Sequence, residues 1–534
     1  MRERNEMILA DQILARAEQK PDLNVLTFEH LSLDGGATPD EVRSYADLQT
    51  NANAIAAALI DRGLEVGDRF GVMMQNHPEF VESVIAASIS GAPYVPIDPR
   101  TRGEKLEYML RDAGCRGIIC ADYCLDEVEA VRARVPHVEW VLVVGDGPVS
   151  GAGSVAPLAE VLSRPAPSVD VRIDDPGAPL QVMYTSGTTG DPKGIVGGND
   201  RYARAGMLAS LLGYQPDERA YTGLSLTHGN ANSMTLMPAL MNGLHAVFSR
   251  RFTKSRLWEV CRTYGCTSFS LVGGMAMGIY SEPERPDDAD NPVRLVISGG
   301  MPAAIWESFE KRFGLRILEF YGAMDGGGMA LKPVGEGPIG SFGKAMFGVD
   351  MRILDEDGNP CPPGVVGEIC TRPQGGEVAS VEYFGKPEAS KKKIRGGWNR
   401  SGDMGHADEE GWLFFDYRAG GGIRHNGDFI NPSFVEKAIA EHPGVADVFV
   451  YGVKAASGTP GEKDAVAAVV FADEGGADPD SVFALCRERL EPNFVPTYLQ
   501  VVDEIPKTAS EKPQERFLLE AFEKEGANIH TASR

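Results

Sequence analysis

The segment YTSGTTGDPKG at positions 184–194 concentrates residue types that hold phosphate. Gly187, Gly190 and Gly194 are interleaved with the hydroxyls of Thr185, Ser186, Thr188 and Thr189, and Lys193 follows. Glycines let backbone N–H groups converge on an anion, hydroxyls add donors, and the lysine adds a cation. The spacing is not that of a GxxxxGK[ST] loop, because Gly194 follows Lys193. The run PLQVMY before it is strand-like, which places the loop at a strand end, where α/β sheets bind ligands.

Elements able to position such a loop alternate along the chain. Near the start, Ile8, Leu9, Ile13 and Leu14 recur at helical spacing. SYADLQTNANAIAAALIDRG reads as a helix stopped at Gly63, RFGVMMQN as a strand, HPEFVESVIAASISGA as a helix and YVPIDP as extended. GIICAD and WVLVVG are continuous apolar runs of buried-strand type, and VRLVISGG and LRILEFYG are strands running into glycines. This alternation predicts an α/β fold with largely parallel sheets. After about residue 335, Asp-Gly and Pro-Pro turns between short apolar runs predict a β-rich subdomain. Past the glycines at 419–422, FINPSFVEKAIAEHPGVADVFVYGVK, DAVAAVVF and SVFALCRERL read as helix, strand, strand and helix. The expected organisation is a large N-terminal domain over residues 1–418, a glycine hinge at 419–422 and a small α+β C-terminal domain over 423–534.

A chain of 534 residues, 43% hydrophobic and 24% charged, exceeds what one core normally serves, in keeping with that division. Its 52 basic and 76 acidic side chains leave a net charge of −24, which argues against nucleic-acid and anionic-membrane partners. Of the 8 cysteines only Cys115, Cys120 and Cys124 cluster, without the second ligand pair of a zinc site, so reduced structural thiols are expected. The first residues have no signal-peptide core, and no run approaches the ~20 apolar residues that span a bilayer. The expectation is a cytoplasmic enzyme.

With LTHGN at 226–230, SGGMP at 298–302, FYGAMD at 320–325, GEIC at 367–370, RSGDMG at 400–405, YRAGGGIRHNGDF at 417–429 and IPKTASEK at 505–512, the chain resembles the adenylate-forming superfamily nearly throughout. That superfamily includes acyl-CoA synthetases, luciferases and peptide-synthetase adenylation domains. The resemblance implies that a carboxylate attacks the α-phosphate of ATP, releasing pyrophosphate, and that a thiol, usually coenzyme A, then displaces AMP. It implies that Thr185, Ser186, Gly187, Thr188, Thr189, Gly190 and Lys193 hold the β- and γ-phosphates. Tyr321 would stack on adenine, with Gly300, Met301 and Gly322 beside it, Asp403 would take the ribose hydroxyls with Arg418 assisting, and Lys512 would be the catalytic lysine. His228 would gate the acyl pocket near the carboxylate, and Asp325 would serve Mg2+. The lysine run at 391–393 reads as a solvated face, with a minor role in nucleotide approach as the alternative.

The sequence also departs from the family pattern. Met324 stands where a hydroxyl is usual, and Asp325 is one methylene shorter than the usual Glu. Gly420, Gly421 and Gly422 replace the side-chain pair of the hinge, Glu511 precedes Lys512 in place of Gly, and Gly427 and Phe429 border the expected coenzyme A channel. The segments matching the acyl pocket carry Gly229, Gly273, Gly274, Gly299, Gly326 and Gly327, with Met275 and further methionines around them. Small residues leave volume and methionine adapts to irregular shapes, so a bulky apolar acid is expected, such as a polycyclic or terpenoid acid of secondary metabolism. The function expected is a coenzyme A ligase of this type, acting as monomer or homodimer. Two alternatives stand beside it: a stand-alone adenylating enzyme serving a carrier protein or partner enzyme, and a nucleotide-binding relative with little turnover.

Overall fold

The computed structural model describes residues 2–145, 147, 154–165, 168–184, 192–272, 275–323, 325, 328–346, 348–419, 423–425, 428–430, 432–456, 463–472, 478–490, 494–508, 511–524 and 528–531, with backbone alone at 424, 428, 429 and 434. They pack into two compact units, Met1–Ser270 with Glu382–Ser390, and Leu271–Val381 with Lys391–Arg534.

In the first unit, Ser44 and Asp47 form a reciprocal cap that starts the helix Tyr45–Asp61, and Gly63, at φ +79°, takes the left-handed turn beyond it. The apolar helix Pro78–Ser90 is buried along nearly its whole length. A seven-stranded sheet runs in the order Val155–Pro157, Trp140–Val144, Cys115–Ala121, Arg69–Met73, Tyr94–Ile97, Pro179–Tyr184 and Gly194–Gly198. Its neighbours are parallel except the last pair, which is antiparallel with Tyr184 opposite Gly194. A second sheet joins Glu41–Ser44, Asn24–Glu29, His245–Ser249, Arg219–Thr222 and the start of Ser268–Val272, parallel beyond its first pair.

In the second unit, Leu295–Gly299 lies parallel to Arg316–Gly322, which continues antiparallel to Met329–Lys332 and Lys344–Ala345. An antiparallel sheet follows, in which Trp398–Ala407 pairs with Gly367–Pro373, Ile394–Arg395 and Leu413–Arg418. The C-terminal part has a hairpin, Ile423–His425 with Asp428–Ile430, the helix Pro432–Ala440 and a four-stranded sheet. In its strand Lys463–Phe471, Ala465, Ala467 and Val469 face one core with Phe483 and Leu499, while Val466 and Ala468 face another with Tyr451 and Leu518. Burial on both faces explains why this strand reads as an unbroken apolar run.

The fold is therefore α/β, with parallel sheets in the larger N-terminal part, a β-rich segment after it and a smaller α+β C-terminal part. Among the described residues no helix is long and apolar enough to cross a membrane. The cysteines are unpaired thiols, all buried except the half-buried Cys361. Burial pushes the Cys115 thiol up to about 12, which keeps it protonated and inert.

Candidate functional site

Strand pairing brings two motif residues into register: Asp403 on Trp398–Ala407 stands directly opposite Arg418 on Leu413–Arg418. Arg418 Nε donates to Asp403 Oδ1 at 2.7 Å, and the Tyr321 hydroxyl, from the end of Arg316–Gly322, donates to Oδ2 at 2.7 Å. Asp403 is only 3% exposed, and each of its oxygens retains a lone pair for a further donor such as a sugar hydroxyl. The Tyr321 ring lies against Phe342, with centroids 4.7 Å apart and planes at 30°. Burial, then the negative charge of Asp403, raises the Tyr321 phenol well above its ordinary value, so it stays a donor.

Beside Tyr321, Gly300 has φ +115°, a conformation suited to glycine, and Met301 is buried. Their N–H groups donate to the buried carboxyl of Glu319 at 2.5 and 3.2 Å. Burial raises Glu319 to about 8, against the pull of those donors. Glu319 thus fixes the backbone that lines the Tyr321 side of the site, a role the sequence motifs did not reveal.

Lys512 is solvent-accessible, presented by a turn in which Thr508 N–H bonds the Lys512 carbonyl at 2.8 Å. Glu511, before it, is left-handed at φ +57°. Crowding by the protein lowers the Lys512 pKa, Arg418 lowers it further, and Asp403 and Asp325 oppose the change. These influences bring Lys512, Arg418, Asp403 and Asp325 into one electrostatic neighbourhood. Asp325 Oδ2 lies 2.6 Å from Lys393 Nζ, and Asn399 Nδ2 bonds the Asp325 carbonyl at 2.8 Å. Lys391 and Lys392 are exposed as expected, but Lys393 departs from that reading, because its helix turns it inward to an acidic partner. Among the described residues no group of three or more His, Cys, Asp or Glu could hold a metal. A magnesium ion carried by phosphates needs only one or two protein carboxylates, and Asp325 fits that lesser requirement.

In the first unit, the loop 185–191 lies outside the described residues, but both its stems are tied down. The Tyr184 hydroxyl donates to Asp112 at 2.7 Å, and the Tyr108 hydroxyl donates to the Pro192 carbonyl at 3.1 Å. Lys386 bonds the Tyr108 hydroxyl and lies 3.5 Å from Asp112. Lys193 stands over the Tyr383 ring at 5.2 Å. Lys386 and Tyr108 are 278 residues apart in sequence, so no local pattern announces their meeting.

His228 is half-buried, and its carbonyl accepts from Asn232 Nδ2 at 3.0 Å, just before a π-helical turn at Ala231–Leu236. The adjacent Asn230 has both amide atoms buried with no partner among the described residues, which is costly unless another group supplies one. Gly229 and Met275 are buried, Gly299 ends its strand, and Gly322 ends the strand of Tyr321. Gly273, Gly274, Met324, Gly326, Gly327, Gly420, Gly421, Gly422 and Gly427 lie outside the described residues, as does the side chain of Phe429.

Comparison with known proteins gives this geometry a context. Residues 13–379 match the family described as AMP-binding enzyme, and residues 435–512 match the AMP-binding enzyme C-terminal domain. A medium/long-chain-fatty-acid–CoA ligase of Mycobacterium marinum is 30% identical over 490 residues, covering 90% of this chain and 92% of the relative. A crotonobetaine/carnitine–CoA ligase of Salmonella paratyphi B is 25% identical over 480 residues, covering 88% and 91%. The crystal structure of an anthranilate CoA ligase in complex with anthranoyl-AMP superposes with a TM-score of 0.83 at 22% identity, covering 96% of this chain and 97% of that one.

Proposed function

The chain belongs to the AMP-binding enzyme family of the adenylate-forming superfamily, and from that premise we propose that it activates a bulky apolar carboxylic acid with ATP and passes the acyl group to coenzyme A. The observation that carries this reading is the buried Asp403 held by Tyr321 and Arg418, with Lys512 close by. Asp403 accepts from the ribose hydroxyls of the nucleotide, and the Tyr321 ring borders the base. The acid's carboxylate oxygen attacks the α-phosphorus as the bond to pyrophosphate breaks. Lys512 lies where negative charge gathers on the α-phosphate oxygens, and the loop 185–190 with Lys193 holds the departing phosphates. Magnesium, held through Asp325, supplies further charge neutralisation when bound. The coenzyme A sulfur then attacks the acyl carbon, AMP leaves, and the thiol proton passes to solvent. We place the pivot between the two half-reactions at residues 419–422, dividing 1–418 from 423–534.

The acyl class is supported by the small and methionine side chains of the matching segments and by the fatty-acid substrate named for the Mycobacterium relative. The test is a mass-spectrometric screen of fatty, aryl and polycyclic acids with ATP and Mg2+, each with and without coenzyme A. Thioester in the presence of coenzyme A is the expected result. Adenylate that persists despite coenzyme A replaces it with the reading that Phe429 and the glycine hinge favour, an adenylating enzyme serving another acceptor. Neither product, from any acid, overturns the catalytic reading in favour of a nucleotide-binding relative.

A further inference from the structure

Lys393 closes the helix Pro387–Lys393 with only 16% of its side chain exposed. Its ammonium lies 2.6 Å from Asp325 Oδ2 and 3.2 Å from the carbonyl of Ser401, two residues before Asp403 on the same strand. An ammonium has three N–H donors, and these two protein oxygens engage two of them. Among the described residues no other oxygen engages it, which leaves the third for a ligand.

The surroundings indicate what that ligand is. Arg418, Asp403 and Asp325 all act on Lys512, and Arg418 is paired to Asp403. With Lys393 included, three cations stand against two carboxylates, an excess that favours an anion. The stretch GAMDGGG at 322–328, which carries Asp325, has no hydroxyl and no cation of its own. A phosphate beside Asp325 must therefore draw its side-chain donors from other elements, and Lys393 reaches this carboxylate from another element.

We propose that Lys393 is a nucleotide-binding residue, whose remaining N–H donates to the phosphate next to the ribose: the α-phosphate of ATP and the single phosphate of AMP. This rests on the adenylating reading above. It assigns to the site a direct phosphate contact from one residue of a three-lysine run whose sequence context suggests chiefly a solvated surface.

AMP and adenosine differ by the phosphate alone, so calorimetric titration of the full chain with each, without magnesium or acid, isolates the contact. Lys393→Met is expected to weaken AMP about tenfold or more while adenosine binds as to the wild type. Lys393→Arg is expected to retain most of the AMP affinity, and Lys392→Met to bind both ligands normally. Unchanged AMP affinity in Lys393→Met overturns the proposal. An equal loss of AMP and adenosine also overturns it, because Lys393 then serves only to hold Asp325. Wild-type protein that binds neither ligand overturns the adenylating reading itself, an outcome distinct from the other two.

Discussion

In the proposed mechanism Lys512 serves as a cation, yet its setting disfavours the charge: crowding by protein comes first and Arg418 second, and Asp403 and Asp325 only partly offset them. Its pKa therefore lies below the ordinary 10.5 before nucleotide arrives. A base whose pKa falls on folding binds its proton more weakly in the folded chain. This group's contribution to stability thus becomes more favourable as pH rises from the lowered value towards 10.5, while catalysis moves the other way. We expect kcat/KM for pyrophosphate release to decline with rising pH through a group titrating below 10.5. Lys512→Ala should lower adenylation by about 10²–10³ without lowering the unfolding midpoint, since it removes a charge that folding disfavours. Undiminished pyrophosphate release by that variant would remove Lys512 from the mechanism. A pH profile flat to 10.5 would contradict the electrostatic account of its surroundings.

The turn that carries Lys512 shows how an element is tuned for one side chain. Thr508 accepts from Glu511 N–H at 2.9 Å and, through Oγ1, from Lys512 N–H at 3.2 Å, while Lys507 pairs with Pro513 across the base. Closing so tight a turn puts Glu511 at φ +57°, where a Cβ costs roughly 1–2 kcal/mol. Glu511→Gly removes that strain but adds freedom to the unfolded chain, so stability is expected to rise by at most ~1 kcal/mol. Glu511→Val, β-branched, should instead lose ~1 kcal/mol or more. Denaturant midpoints for the pair check this, and equal loss in both would place the strain elsewhere. The sequence showed the Glu-Lys pair but not its backbone, because φ is set by the hydrogen bonds of the turn. The same limit applies elsewhere. Tyr321, Asp403 and Arg418 were legible because contiguous motifs carry them, and the apolar runs announced the strands that deliver them. Glu319, Lys393 and the Tyr108–Asp112–Lys386 tie were not legible, because each acts through a partner that only tertiary packing brings near.

At the scale of the whole molecule, the two half-reactions make conflicting demands. In the proposed mechanism adenylation uses Lys512 within the electrostatic neighbourhood of Asp403 and Asp325, whereas thioester formation needs room for a thiol to reach the acyl carbon. The pivot proposed at 419–422 would let the C-terminal part turn between them, and glycine is the residue type that permits this at little steric cost. The last described residue before them, Ala419, is tied by its N–H to the Gly402 carbonyl at 2.7 Å, next to Asp403. If the pivot lies where we propose, that tie leaves the rotation to the positions after Ala419 and spares the strand that carries Asp403. Gly421→Pro fixes φ near −65° and removes one N–H, so it should hold a single arrangement. The expected result is unequal damage: one half-reaction retained within a few-fold and the other lowered by about tenfold or more, read from separate adenylate and thioester assays. Equal rates for both half-reactions in the proline variant and the wild type would move the pivot away from these residues. Equal loss of both, with a lowered unfolding midpoint, would show that the glycines serve the fold and not the exchange between steps.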